Sequence, residues 1–416
     1  MRQRVARNLF WMLAERGLQV SVGIGIVAML ARALGPEGFA HFQYAQSIVL
    51  VAASFALVCS AEVVVPRLVA MPAPAAQHQL LWHAFVLRLA GGIAGYALMC
   101  AYLAITQPVT DIWHAALWLG LAILLREPFG VVTAWMQAHI NIRPGTLFSL
   151  TALAIKAMLV GALFAASMTD VSGYAMAFAL EAVVLACLLA ANYCSRGASG
   201  RPSWNPGLTR TLLRSGSLFW ISFILMMGAR RVDQLILQPA VPAAEFGAYA
   251  ACMQILDNFT MMATILAAAI APSYVYAQQR FGDAHAAVGR IALGLAGLGL
   301  AGGLAIAACA PWIVALLYGH AFQATTGLLR VAALASPLVF ADVALTLLIV
   351  HLRKPRWVAI KWAAVLVTTL LCDLILIPRL GSWGAIAGYA LGNGLAVIVG
   401  IVLWWRYRLV RELASA

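Results

Sequence analysis

The sequence predicts an all-α polytopic membrane protein with twelve transmembrane helices. Of its 416 residues, 64% are hydrophobic and only 10% are charged, whereas a soluble domain has about 25% charged residues. Apolar runs of about 20 residues, the length that crosses the hydrocarbon core as a helix, recur from end to end. Because these runs fill the chain, no room remains for a separate soluble domain.

The apolar runs and the prolines between them place the helices in order. Prolines stand at the joins because proline cannot continue a helix; they are Pro36, Pro108, Pro144, Pro206, Pro242 and Pro355. The predicted spans are 9–34, 41–69, 80–106, 113–138, 145–168, 172–195, 211–238, 245–277, 285–317, 324–352, 356–378 and 382–407. The basic start before the first run resembles a signal peptide, but Glu15 and Arg16 interrupt the run. We therefore interpret it as an uncleaved first span.

The chain is predicted to consist of two related halves. Its longest polar connection, 196–210, lies near the middle, which predicts a six-helix bundle over 1–198, a cytoplasmic linker over 199–210 and a second six-helix bundle over 211–416. HAFVLRLAGGIAG (83–95) aligns with HAAVGRIALGLAG (285–297), and GYAMAFALEAVV (173–184) aligns with GYALGNGLAVIV (388–399). The similar offsets indicate a six-plus-six duplication. An even number of spans per half makes such repeats parallel.

The distribution of basic residues predicts the orientation. The formal net charge of +13 would suggest a nucleic-acid partner in a soluble protein, but here the basic residues flank the spans, so we expect no nucleic acid. Nineteen of the 27 Lys and Arg residues fall at one set of helix ends, and only Arg32 and Arg379 lie at the other. Because cytoplasmic ends carry the excess of Lys and Arg, both termini are predicted to be cytoplasmic.

Several chemistries lack their sequence motifs. The seven cysteines are odd in number, lie in apolar runs and form no CxxC pair, which argues against a disulfide framework or a zinc site. The eight histidines show no HExxH spacing, and the chain contains no GxxxxGK[ST] loop for ATP. We therefore expect no cofactor and no resident metal, and an energy source other than ATP.

Charged residues inside the predicted spans are the main functional signal. Each costs about 2.5–3.5 kcal/mol on insertion scales and needs a partner or a wet cavity. They are Glu15, Arg16, Glu62, Arg126, Glu127, Lys156, Glu181, Arg230, Arg231, Asp233, Asp257, Arg330, Asp342 and Asp373. Structural ion pairs are the alternative for any one of them: Arg230 and Asp233 are three residues apart and can pair on one helix face, and Glu62, Arg330 and Asp373 can be interfacial. Together they predict a hydrated, charge-lined interior.

Several segments resemble polysaccharide flippases of the multidrug/oligosaccharidyl-lipid/polysaccharide (MOP) exporter superfamily. RNLFWMLAER (7–16) and LARALGPEGFAHFQYAQSI (30–48) resemble the opening of that family. RRVDQLILQ (230–238) with AEFGAYAACMQILDN (244–258) resembles its seventh and eighth spans, and LLYGHAFQATTGLLRVAAL (316–334) its ninth-to-tenth connection. The similarity covers nearly the whole chain.

The resemblance implies a V-shaped, MATE-like pair of bundles with spans one, two, seven and eight lining a central cavity. It implies a flippase in the bacterial cytoplasmic (inner) membrane that moves undecaprenyl-pyrophosphate-linked oligosaccharide from the inner to the outer leaflet by alternating access, for cell-surface polysaccharides such as O-antigen. The expected partners are this lipid-linked oligosaccharide, the bilayer, a coupling H+ or Na+, and a polysaccharide polymerase with its chain-length machinery.

The candidate site residues fall into two sets. The first is expected to hold the pyrophosphate, because arginine offers a bidentate fork to phosphate; it consists of Arg231, Arg16, Arg126, Lys156 and Arg230. The second contains the carboxylates that could carry a coupling proton or sodium ion; it consists of Asp233, Asp257, Glu62, Asp342 and Glu181. No catalytic residue is expected in a transporter.

Two other functions stay open on the sequence. A cation-coupled multidrug antiporter of the same superfamily also has twelve spans and acidic cavity residues, but its ligands are cations, which an arginine-rich cavity does not favour. A membrane polysaccharide polymerase or acyltransferase is the other alternative. The short predicted outer loops argue against a polymerase, and His351 beside Asp342 is a weak hint of an acyltransferase, because this histidine stands at a predicted inner interface.

Overall fold

The computed structural model describes the backbone of residues 2–71, 73–139, 141–196, 202–278, 281–352 and 354–414, with side chains described from 17 to 407 except at 72, 140, 197–201, 279–281 and 353. All regular structure in these ranges is helical. The helices are α1 (Arg2–Ala53), α2 (Ala61–Ala70), α3 (Pro74–Thr106), α4 (Thr110–Leu124), α5 (Arg126–Ala138), α6 (Arg143–Ala165), α7 (Val171–Arg196), α8 (Pro206–Leu237), α9 (Ala243–Ala271), α10 (Phe281–Leu317), α11 (Ala324–Ala332), α12 (Ser336–His351), α13 (Pro355–Leu380) and α14 (Ser382–Ala414).

These helices form the predicted membrane spans. Eleven continuous helical stretches in the described chain are long and apolar enough to cross a membrane, and the first, Gly17–Ala70, contains a kink. At that kink Gly35 has φ 65°, a left-handed conformation that glycine adopts without strain, and Pro36 follows it. Because the kink divides the stretch into two membrane-length halves, the described chain supplies twelve spans. The protein is therefore a multi-pass membrane protein.

The second and fourth spans are interrupted, and one arginine lies at both interruptions. The second span leaves α-helical geometry after Ala53 and resumes at α2, while Leu125 (φ −111°, ψ −62°) separates α4 from α5. Arg88 of α3 donates from Nε to the Cys59 carbonyl (2.8 Å) and from Nη1 to the Glu127 carbonyl (3.1 Å). Arg88 is one of the nineteen basic residues counted at the predicted cytoplasmic helix ends, and its side chain is buried.

Close backbone packing holds α3 in this position. Gly91 and Gly95 lie directly against the carbonyls of Phe55 and Ala52, and a Cβ on Gly92 would lie 2.8 Å from the Ile123 carbonyl. Small residues let helix backbones approach each other in membranes, where packing and hydrogen bonds drive association. This contact sets the position of the α4–α5 break, from which Arg126 projects.

Packing divides the chain into two compact units, Met1–Met227 and Gly228–Ala416. The boundary falls inside α8, later than the predicted linker at 199–210. The reason is local: in the first part of α8 the Trp220 indole donates to the Ser54 carbonyl (3.2 Å), and Gly216 packs against the Val58 carbonyl. The division into bundles 1–198 and 211–416 stays a prediction.

The predicted repeat has both a structural parallel and an exception. His83 and His285, which the repeat aligns, are both buried and each stacks on a tryptophan, at ring-centroid distances of 5.2 Å to Trp204 and 4.3 Å to Trp404. By contrast, Arg88 is buried whereas its aligned partner Arg290 is exposed. Packing residues therefore recur between the halves, and the arginine that joins two interrupted spans does not.

Candidate functional site

The first unit contains a basic cluster of Arg126, Lys156 and Glu181 on α5, α6 and α7. The Lys156 ammonium donates to the Glu181 carboxylate at 2.7 Å, and the Arg126 guanidinium lies 3.9 Å from its other oxygen. The Lys156 nitrogen also lies 4.6 Å from the ring centroid of Phe178, within range of a cation–π interaction. We call these three charged residues the first basic cluster; its formal charge is +1.

Arg126 is the exposed member of this cluster. Its side chain is 53% exposed, whereas Lys156 and Glu181 are each 12% exposed. A fixed charge inside a span faces a wet cavity or the bundle interior, because exposure to lipid is costly. Arg126 therefore has donors free to meet a hydrated anion. Arg126 and Glu127 are adjacent on one helix, so their side chains point apart and need separate partners; the partner of Arg126 is Glu181.

The second unit contains a second basic cluster, Arg230, Arg231 and Asp257. Arg231 of α8 donates from Nη2 to Asp257 Oδ2 of α9 at 2.8 Å, with side chains 20% and 32% exposed. Its neighbour Arg230 is exposed and lies 6.0 Å from the ring centroid of Trp362 on α13. The formal charge of this cluster is again +1. The two clusters are separate features of separate units.

Asp233 is not the partner of Arg230 that helical spacing allowed. Among the described residues it accepts a hydrogen bond from the Tyr249 hydroxyl of α9, and its side chain is 3% exposed. Arg230 instead faces Trp362. The two charges are three residues apart on α8, but the packing of α9 turns the carboxylate inward.

Asp373 of α13 is the second buried carboxylate near Asp233. It is fully buried, and the Asp233 carboxylate lies within electrostatic range of it. In the described structure both Asp373 oxygens and Asp233 Oδ1 are buried without a hydrogen-bond partner. Gly388 of α14 makes room for the Asp373 carboxylate, because a Cβ at that position would overlap Oδ1.

Unpartnered carboxylates are expensive in a buried site. Asp233 and Asp373 together have three buried carboxylate oxygens without a hydrogen-bond partner among the described residues. Among the described side chains, no three His, Cys, Asp or Glu residues converge to hold a metal ion.

Asp342 and Glu181, two of the predicted coupling carboxylates, already have lysine partners. The Lys361 ammonium donates to both Asp342 oxygens (2.8 and 3.0 Å) and to the Thr346 hydroxyl (2.8 Å). Lys361 is one of the nineteen basic residues counted at helix ends, and its pair with Asp342 is buried, with side chains 1% and 9% exposed. Each carboxylate is thus already neutralised within its own unit.

The remaining predicted residues are not brought into either cluster by a described contact. Glu62 is exposed in the first turn of α2, directly after the interruption of the second span. Arg16 lies on α1, but its side chain is outside the described residues.

The sequence alone assigned neither Tyr249 nor Asp373 to the candidate site. Tyr249 follows a segment repeated between the halves, which indicates a packing residue; it is buried, and its hydroxyl also donates to Asp233. Asp373 was one of the residues that the sequence allowed to be interfacial. The signal that could have found it is an aspartate in the apolar run LLCDLIL with no basic residue within one turn.

The fold is found in known membrane transporters. The chain is similar to a multidrug-resistance MATE family transporter of the MOP superfamily in an inward-facing conformation, with a TM-score of 0.72 and 15% identity over 96% of each chain. It is also similar to the lipid II flippase MurJ, with a TM-score of 0.73 and 9% identity over 94% of this chain and 87% of MurJ. The chain has a MATE-like fold.

A third similar structure is also a transporter. It is a MOP superfamily transporter from Pyrococcus furiosus, described as having a binding pocket of reverse polarity, with a TM-score of 0.65 and 17% identity over 95% of this chain and 93% of that one. At such identities the likeness concerns the fold. No protein-family model matches the sequence, and the search of curated proteins gives no match either.

Proposed function

We propose that the protein flips an undecaprenyl-pyrophosphate-linked oligosaccharide from the inner to the outer leaflet of the bacterial cytoplasmic membrane, by alternating access. The observation that supports this proposal is the net positive charge of each of the two basic clusters. Each places two cations against a single carboxylate inside membrane-spanning helices, and in each one arginine is exposed. Such clusters favour an anionic cargo over the cations that a multidrug antiporter exports.

The chemistry of the cargo explains why these residues are needed. Removing a sugar hydroxyl from water without a replacement hydrogen bond costs roughly 2–7 kcal/mol, so an oligosaccharide does not cross a bilayer unaided. A hydrated interior removes most of this cost. The pyrophosphate requires cations, and the exposed guanidinium groups of Arg126 and Arg230 offer planar donor forks that match phosphate oxygens.

Transport into proteoliposomes tests the proposal. Purified protein should accelerate the appearance of a radiolabelled polyprenyl-pyrophosphate oligosaccharide in the opposite leaflet, as reported by its accessibility to a membrane-impermeant glycosidase. A strain lacking the protein should lose its surface polysaccharide and keep its resistance to cationic dyes. Dye sensitivity with normal polysaccharide would instead support the multidrug antiporter.

We also propose that Asp233 and Asp373 carry the coupling cation, with Tyr249 as a third oxygen ligand. Both carboxylates are buried and incompletely satisfied, and neither is neutralised by a lysine as Asp342 and Glu181 are. Asp233 lies two residues from Arg231 on α8, so the proposed cation and anion sites share one helix. A change in the occupancy of the cation site can therefore alter binding at the anion site.

The coupling prediction concerns Asp233→Asn and Asp373→Asn. Each substitution removes a charge that a cation would neutralise, so transport should lose its acceleration by an imposed Na+ or H+ gradient and fall to the rate without a gradient. The measurement is initial flipping rate at fixed cargo, with and without each gradient. Asp283→Asn, at an exposed position of α10, is the matched control. Full gradient dependence in both Asp233→Asn and Asp373→Asn would exclude these residues as carriers.

The orientation and partners follow from the same proposal. We propose that both termini are cytoplasmic, because the excess of Lys and Arg at one set of helix ends favours that orientation. The flipped lipid would pass to a polysaccharide polymerase and its chain-length machinery. A C-terminal fusion to green fluorescent protein should fluoresce, whereas a fusion to alkaline phosphatase should be inactive. The reverse pattern would contradict the orientation.

A further inference from the structure

The ion pair between Arg231 and Asp257 uses only part of the hydrogen-bonding capacity of the two side chains. One Nη2 donates to one carboxylate oxygen at 2.8 Å, and among the described residues this is the only hydrogen bond of the guanidinium. Arginine has five N–H donors. With exposures of 20% and 32% for the two side chains, the remaining donors and the second carboxylate oxygen can meet solvent or a ligand.

The two other close pairs inside the spans are more enclosed. Lys361 is 1% exposed and its ammonium is fully used by Asp342 and Thr346. Lys156 and Glu181 are each 12% exposed, and Glu181 also faces Arg126. The short, enclosed contacts of Asp342 and Glu181 are those of carboxylates that stay paired with their lysines. Asp257 is the most exposed of the three carboxylates and makes a single contact, so it is the one that a ligand can replace.

We propose that Asp257 is a specificity-determining residue. Its carboxylate binds the Arg231 guanidinium when no cargo is bound. Only an anion that binds the guanidinium more tightly than one carboxylate oxygen does can displace it. This inference rests on the proposed function. A pyrophosphate meets the requirement because it carries several charges and can accept parallel hydrogen bonds from the fork. A phosphodiester has a single charge, so it binds the Arg231 guanidinium little more strongly than the Asp257 carboxylate does.

The surrounding bilayer explains the need for such a competitor. Anionic phospholipids present single-charge phosphodiester groups in large excess over any lipid-linked sugar. An unopposed arginine in a span would bind them. A carboxylate that competes for the guanidinium lowers the affinity of both ligands by the same factor. The weaker ligand then falls below the affinity that it needs to occupy the site at its membrane concentration, whereas the stronger ligand still binds. Asp257 lies where such a group is needed.

The experiment compares binding in two membranes. Binding of a polyprenyl-pyrophosphate oligosaccharide is measured in nanodiscs of phosphatidylcholine alone and in nanodiscs containing phosphatidylglycerol. For the wild type, the apparent Kd should be nearly the same in both. For Asp257→Asn, phosphatidylglycerol should occupy the guanidinium and raise the apparent Kd about tenfold, which corresponds to about 1.4 kcal/mol of apparent binding free energy. Asp257→Glu, which restores the carboxylate, and the exposed control Asp283→Asn should behave as the wild type.

The outcomes separate this inference from the proposed function. If the wild type binds the pyrophosphate lipid and Asp257→Asn is equally insensitive to phosphatidylglycerol, the inference is overturned while the proposed function stands. If Asp257→Asn acquires the sensitivity in an Arg231→Ala background as well, the effect does not pass through Arg231 and the inference is again overturned. A wild type that does not bind the lipid in either membrane overturns both. If Asp257→Asn does not fold, Asp257→Ser is measured with the same criteria.

Discussion

Replacing Lys361 by methionine should destabilise the protein by about 3–5 kcal/mol, because it leaves the buried Asp342 carboxylate without its counter-ion. The Lys361 side chain is 1% exposed and makes three hydrogen bonds, two of them to Asp342. Methionine keeps most of the volume and removes the charge, so the loss reports on the pair rather than on a cavity. The measurement is the thermal unfolding midpoint in a fixed detergent.

Two variants test the cause of this loss. Lys354→Met removes an exposed lysine near the start of the same helix and should have little effect on the midpoint. Lys361→Met combined with Asp342→Leu should recover much of the stability, since replacing both members of a buried pair by apolar residues is often nearly neutral. If the single variant unfolds at the wild-type temperature, the pair is not the structural element that its geometry indicates.

Arg231→Ala should reduce the flipping rate of a pyrophosphate-linked oligosaccharide about ten- to hundredfold, the range that a charge-assisted hydrogen bond worth about 1.5–3 kcal/mol supplies. Arg231→Lys keeps the charge but loses the planar fork, so its rate should lie between those of the wild type and Arg231→Ala. The rates are measured in proteoliposomes at equal protein content.

Arg290→Ala is the matched control for this prediction. Arg290 is an exposed arginine of α10 in the same unit, and its removal makes the same change in net charge. It should flip the cargo at the wild-type rate. A wild-type rate for Arg231→Ala would exclude this residue from the proposed binding of the anion.

The positions of the spans could be predicted from the sequence because they depend on local properties. Apolar runs and prolines at the joins are read residue by residue, and the kink between the first two spans follows from the Gly35–Pro36 dipeptide. The interruptions of the second and fourth spans could not be predicted. They depend on Arg88, which is distant in sequence from the Glu127 carbonyl that it binds.

The candidate site was predictable in composition but only partly in its pairings. Charged residues inside apolar helices stand out in the sequence, and Arg231, Lys156 and Glu181 were found in this way. Helical spacing allowed Arg230 to pair with Asp233, but the structure brings Asp257 to Arg231 and Tyr249 to Asp233. Both of these partners come from α9, so only the packing of that helix against α8 decides the pairing.

The central claim is that cations inside the spans hold the pyrophosphate of the cargo. The most direct test compares flipping of two lipids with the same polyprenyl chain and the same oligosaccharide, one joined by pyrophosphate and the other by a neutral linker of similar length. We expect the purified wild-type protein to flip the pyrophosphate lipid and to leave the neutral one near the rate of protein-free vesicles. Equal flipping of both lipids would contradict the account.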